Sequence, residues 1–367
     1  MPSLVTGFGS RRHSLSLLLL LILVALILVD ALFVEEKILD TTTYFYLFFS
    51  TLAILYLVYP LWANRKFTRY YWERTKRNRL SVLGLIYIIF LIAVALIGPQ
   101  FTLEPTAVKF KEMNLPPVGL TFQQSVYDLD TGTFTIKEAP GTWKHPLGTD
   151  DKGRDMLAML VSGARVSLQV GLLATGIAII LGTIIGVLSA YLGGWADNAL
   201  MRFTDVMMTF PFFLLLVLVV FIFGPDLVFI ILIIGLTGWT GTARLVRSDS
   251  LSLRTREFIM ASKSLGASGA RIVFRHLIPN VISSIIVIAT LSIPGVILAE
   301  AALSFIGLGD PTVASWGTVL NAGQQTLDTS WWVAVEPGIV LFFTVLAFNF
   351  LGDGLRDAFD PRSDIYR

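Results

Sequence analysis

Long apolar runs separated by polar segments set the pattern of this chain. Uncharged or nearly uncharged stretches occupy about 14–34, 43–63, 81–100, 166–192, 203–223, 227–243, 281–305 and 333–352. Most reach the roughly 20 residues with which a helix crosses about 30 Å of hydrocarbon. The pattern predicts eight transmembrane helices, with both ends of the chain on one side. Barrel strands of about 10 residues with alternating polarity are not seen. The 227–243 run is the shortest and is expected to extend toward Val246.

One polar interruption, 244–280, is too long and too ordered for a simple turn. Phe258, Ala261 and Leu265 fall at i, i+3 and i+7, a narrow apolar stripe on an otherwise polar helix. Gly266 is placed to end that helix in the left-handed conformation, and Ser268 to cap a second one. Pro279 marks the start of the next apolar run. Arg244, Arg247, Arg254, Arg256, Lys263, Arg271 and Arg275 stand against Asp249 and Glu257. A helical hairpin displayed in this way is expected to meet a partner.

Charge sets the expected orientation. Residues 64–79 hold Arg65, Lys66, Arg69, Arg74, Lys76, Arg77 and Arg79 against Glu73 alone, whereas 35–42 holds Glu35, Glu36 and Asp40 against Lys37. The positive-inside rule places 64–79 in the cytoplasm and 35–42 outside. Alternation then puts 244–280 and both termini in the cytoplasm, in agreement with their own cations. Arg11, Arg12 and the leucine block at 15–29 resemble a signal peptide, but residues 30–35 offer no small-x-small cleavage site. A retained helix is expected.

Composition agrees with this class. Hydrophobic residues make up 54% of the chain, charged residues 15%, and mean hydropathy is +0.73. Soluble domains carry about 25% charge. With no cysteine, disulfides and thiolate metal sites are excluded. The three histidines and the cluster His145, Asp150, Asp151 and Asp155 form no metal motif, and no nucleophile elbow occurs. No metal, cofactor or nucleic-acid partner is expected. A phosphate-binding G-x-x-x-x-G-K-[ST] loop is absent as well, so the chain is not expected to hydrolyse ATP.

Two external segments are large. Residues 101–165 include a possible hairpin over 127–136 turning at 130–132, and 306–332 carries Trp316, Trp331 and Trp332. Trp331 and Trp332 read first as an interfacial belt. Small residues at Gly171, Gly176, Gly182, Gly186 and Ala190 suit close helix packing, with Gly182 and Gly186 at G-x-x-x-G spacing. Pro211 and Pro294 are expected to bend their spans. Glu300 and Glu336, near outer span ends, are candidates for a translocation path or gate, because intramembrane carboxylates usually face a bundle interior or water. Asp205 and Arg202 are expected to fix a helix end.

Residues from about 81 to 362 resemble the membrane subunit of an ATP-binding-cassette importer of the dipeptide/oligopeptide/nickel permease family. The resemblance rests on His145-Pro-Leu-Gly-Thr-Asp-Asp-Lys-Gly-Arg-Asp155, Gly163-Ala-Arg-Val-Ser167, Tyr191-Leu-Gly-Gly-Trp-Ala-Asp197 and Arg202-Phe-Thr-Asp205. It continues through Glu257 to Asn280, Ile297 to Gly309 and Leu346 to Asp357. It implies an all-α polytopic protein: a six-helix type I importer permease core at 81–362, with two extra N-terminal spans and a basic linker in 1–80, and a tail at 363–367. It also implies a second homologous permease subunit, two ATPase subunits and an external binding protein. Peptides are the leading substrate, with oligosaccharides or a nickel chelate as alternatives.

The family's coupling pattern, Glu-Ala-Ala, three residues, Gly, nine residues, Ile-x-Leu-Pro, aligns with Met260-Ala261-Ser262, Gly266 and Pro279. The glutamate is missing, and Glu257 lies one turn earlier on nearly the same face. By this resemblance Glu257, Phe258, Ala261, Ser262, Leu265, Gly266, Ser268, Arg271 and Pro279 couple the chain to its ATPases. The two extra spans are expected to form a peripheral hairpin, with the basic linker lying on anionic lipid at roughly 1 kcal/mol per cation.

Overall fold

The computed structural model describes residues 65–128 and 133–359. The expected spans at 14–34 and 43–63, the turn at 130–132 and the tail at 363–367 lie outside the described residues.

Among the described residues, five helical segments are long and apolar enough to span a membrane: Arg79–Gln100, Met156–Leu192, Leu227–Arg254, Gly269–Phe305 and Trp332–Phe359. A bent pair, Gly194–Thr209 with Phe212–Phe223, supplies a sixth. In chain order, α1 is Arg65–Thr75 and α2 is Arg79–Ile97, capped by the Asn78 side chain, which accepts from the Leu80 and Ser81 amides. Strands β1 (Thr121–Asp128) and β2 (Thr133–Pro140) pair antiparallel from Thr121↔Pro140 to Asp128↔Thr133. The hairpin expected at 127–136 is therefore longer on both strands.

Helix α3 (Met156–Leu192) is the central post. It begins ten residues before the expected 166, which shortens the loop placed at 101–165. Asp155 caps it, accepting from the Ala158 amide at 2.7 Å. Ser162 and Arg165 interrupt the apolar pattern without interrupting the helix, and Gly163 lets Trp316 approach: a Cβ there would lie 2.4 Å from the Trp316 ring.

Helices α4 (Gly194–Thr209) and α5 (Phe212–Phe223) meet at a 75° bend. Pro211 cannot donate, and its ring drives Phe210 into the extended conformation, φ −72 and ψ 128. Helices α6 (Leu227–Thr237) and α7 (Thr240–Arg254) break at Gly238 and Trp239, so this span runs well past Val246. Next come α8 (Glu257–Ser264) and α9 (Gly269–Phe305). Pro279 lies in the first turn of the regular α-helical part of α9, Ile278–Phe305, just after a π turn at Val273–Leu277. The wider turn gives the helix room for a residue that cannot donate. Helices α10 (Trp316–Gln325), α11 (Leu327–Ser330) and α12 (Trp332–Phe359) complete the described chain.

Lipid tails are as apolar as leucine, so close packing rather than transfer from water holds such helices together. Helix α3 packs against α2, α6, α7 and α9. Gly182 and Gly186 face α7 within the chain: added Cβ atoms would lie 2.6 Å from Thr242 Cβ and 2.5 Å from the Ala243 carbonyl oxygen. The bundle has a hairpin end, where Met156, Met159, Val319, Trp332 and Val333 cluster, and a basic end around α8. At the basic end α1 lies on α12, with the Tyr71 and Phe359 ring centroids 4.6 Å apart and Arg74 donating to the Ala358 carbonyl.

Candidate functional site

The basic end presents a short helix held in place by a few contacts. Arg254 donates to the Ala190 carbonyl at 3.0 Å, pinning the end of α7 to the last turn of α3. Arg256, extended at φ −71 and ψ 146, turns the chain into α8. Ile259 is the buried residue of α8, 0% exposed, in a cluster with Val187, Val246, Ile272, Leu277 and Val281. Burying such a side chain away from water contributes roughly 1.5–3 kcal/mol. Through it α8 is seated on α3, α7 and α9 together.

Both ends of the turn after α8 follow the sequence code. Gly266 takes φ +77, and its amide donates to the Lys263 carbonyl at 2.9 Å, while Ala267 donates to Ser262 at 3.0 Å. This is the paired closure of a Schellman stop, which only glycine adopts without strain. Ser268 Oγ then accepts from the Arg271 amide at 3.4 Å and starts α9. The Ser262 hydroxyl donates to the Phe258 carbonyl at 2.9 Å and lies 3.4 Å from His276 Nε2. Tyr191 fills the space beside Gly269, and Lys263 Nζ lies 5.7 Å from its ring centroid.

The outward face is apolar, on a segment with exposed cations. Phe258, Met260, Ala261 and Leu265 are exposed, Leu265 to 88%, and Phe274 of α9 extends the patch. Arg256, Lys263, Arg271 and Arg275 on the same segment are exposed, and exposed Glu257 occupies the first turn. The stripe read from the sequence is thus the open side of α8. The anchor is Ile259, which the stripe omitted.

Ion pairs tie this end to the bent span. Arg247 of α7 donates from Nε and Nη2 to the two carboxylate oxygens of Asp197 in α4, both at 2.6 Å, and Ser189 donates to the same carboxylate. Arg244 donates to Asp205 at 2.6 Å. Asp205 thereby joins α4 to α7 rather than closing its own helix end.

At the hairpin end the candidate carboxylates differ in burial, Glu300 enclosed and Glu336 half-buried. Glu300 is 1% exposed and accepts from the Ser304 hydroxyl at 2.7 Å, beneath the start of α10. Its Oε2 and the Oε2 of half-buried Glu336 are buried without a hydrogen-bond partner. Trp332 is fully buried and donates to the Thr149 carbonyl at 3.0 Å, and Trp316 donates to Leu160 at 3.0 Å. The aromatic-belt reading fails for Trp332, because α10 folds back over it, while Trp331 is exposed. Nearby, buried His145 joins Asp155 at 2.7 Å to Glu112 at 3.0 Å. The Lys144 ammonium hydrogen-bonded to Glu112 holds its carboxyl below the usual carboxylate range; partial burial opposes this and His145 reinforces it. Among the described residues no cluster fit for a metal ion occurs.

The family model for the binding-protein-dependent transport system inner membrane component matches residues 178–365, which contain α8 and its stop. The dipeptide permease DppC of Bacillus subtilis is 38% identical over 301 residues, 81% of this chain and 86% of the relative. The chain belongs to the binding-protein-dependent transport permease family. A second model, the N-terminal TM domain of oligopeptide transport permease C, matches residues 66–117. That match crosses the boundary expected at residue 80 and brings the basic linker inside the family. The oligopeptide permease OppC of Haemophilus influenzae is 36% identical over 303 residues, 82% of this chain and 89% of its own length. This permease is accordingly a multi-span protein of the cell membrane.

Proposed function

We propose that this permease forms half of the translocation path of an ATP-driven peptide importer, with α8 as the element that couples it to separate ATPase subunits. One observation carries the reading: α8 buries Ile259 and leaves Phe258, Met260, Ala261 and Leu265 open. An exposed apolar patch on a charged segment suits a protein partner. A second homologous permease subunit completes the path, two ATPases supply hydrolysis, and an external protein delivers substrate. Peptides are the substrate class because the named relatives carry dipeptides and oligopeptides. The positive-inside rule puts the basic end and both termini in the cytoplasm, where the ATPases reside. Exposed Glu257 supplies the acidic contact that Met260 lacks and Arg271 a basic one, while Ser262, Ser268 and Pro279 shape the element rather than form its contact face.

The test is ATP hydrolysis by the assembled importer. Ala261→Asp puts a charge on the open face of α8, away from the Ile259 anchor. Substrate-stimulated hydrolysis is expected to vanish while the thermal unfolding transition of the permease is unchanged. Normal stimulation in this variant would reject the coupling role.

A further inference from the structure

Two helix breaks and a proline-bearing stretch of α9 meet at one cavity. It measures about 430 Å³, within the roughly 300–1,000 Å³ of small-molecule sites. Phe210 lines it at the bend of α4 and α5, Gly238 at the break of α6 and α7, and Gly295 beside Pro294 of α9. Interrupted backbone at membrane depth persists where it is packed in protein or lines a cavity, and such interruptions mark substrate sites in transporters. Among the described residues lining the cavity none is charged. Its polar groups are hydroxyls, from Thr175, Thr237, Thr240, Thr242 and Ser292.

The geometry points to a transit site in this cavity that takes the uncharged part of a peptide, its amide backbone and neutral side chains, and reads neither terminus by charge. This rests on the importer reading above and adds where the substrate passes and what the wall can recognise. The Thr240 and Ser292 hydroxyls meet a backbone amide, and Met207 and Phe210 supply adaptable apolar wall. A wall without fixed charge does not trap either end of a zwitterion, so peptides of differing charge pass through it alike. Selection among them then falls to groups outside the cavity.

Gly295 provides a clean handle, because a Cβ added there meets nothing within 4 Å. In proteoliposomes carrying the complete importer, uptake of trialanine and triphenylalanine would be compared for wild type, Gly295→Ala and Gly295→Phe. Gly295→Ala is expected to transport both. Gly295→Phe is expected to lose triphenylalanine uptake first, with hydrolysis still stimulated by the loaded binding protein. Wild-type uptake of triphenylalanine by Gly295→Phe would overturn the site.

A second measurement stands if Gly295→Phe fails to assemble. The chain has no cysteine, so Ser292→Cys places a single thiol in the cavity wall. During ATP turnover it is expected to react with a charged thiol reagent, and trialanine is expected to slow that reaction. Reaction only with lipophilic reagents would show a lipid-filled cavity and overturn the proposal. If the wild-type importer carries neither peptide, the peptide reading fails, while the thiol still reports whether the cavity is watered.

Discussion

Arg247 grips Asp197 through two parallel bonds of 2.6 Å. The pair joins α7, which leads into α8, to α4, which leads into the 75° bend. Under the coupling proposed for α8, this pair is the route from α8 to the bent span, since bidentate charge-assisted bonds are strong and geometrically specific.

Breaking that route should separate assembly from transport. Asp197→Asn and Arg247→Ala are each expected to retain ATPase binding and lose most peptide uptake. A double-mutant cycle on unfolding should return about 2 kcal/mol of interaction, the scale of hydrogen bonds to charged groups. Uptake at wild-type rates in both variants would remove the pair from the coupling route.

Packing at the small-residue seam gives a stability prediction. Gly186→Ala forces a methyl against the Ala243 carbonyl, where the Cβ would lie at 2.5 Å. Overpacking of this kind costs about 1–3 kcal/mol. Gly241→Ala, with nothing within 4 Å of its Cβ, is the control and should be neutral. Thermal unfolding in detergent distinguishes the two.

The hairpin end gives a pH prediction. The carboxyl of Glu112 is lowered, first by Lys144. A carboxyl whose folded pKa is depressed contributes stability that is fully present above its unfolded value, about 4.3, and is lost as pH falls through the folded value. Glu112→Gln should therefore unfold at a lower temperature than wild type at pH 7. The gap should close as pH drops below about 4. A gap that widened on acidification would contradict the assignment.

Much of the basic end was legible because backbone rules are local. Gly266, Ser268 and the bend at Pro211 each follow from a single residue's conformational limits. The burial of Ile259 was not legible. Phe258 to Ala261 is a continuous apolar stretch, and only the tertiary positions of Val187 and Val246 select which side chain turns inward. The start of α3 was hidden for a related reason. Ser162 and Arg165 look like loop residues until Trp316, far along the chain, packs onto Gly163. Glu300 stands out in the sequence as a carboxylate within an apolar run, but its enclosure by Ser304 and α10 depends on a fold-back that periodicity does not encode.

The most direct measurement is photo-crosslinking from position 265. Leu265 is the most open apolar side chain on α8 and lies beyond the Ile259 anchor. A photoreactive residue at this position, in the complete importer, is predicted to form its adduct with an ATPase subunit. Adducts confined to lipid, in a complex with its full ATPase complement, would contradict the coupling role of α8.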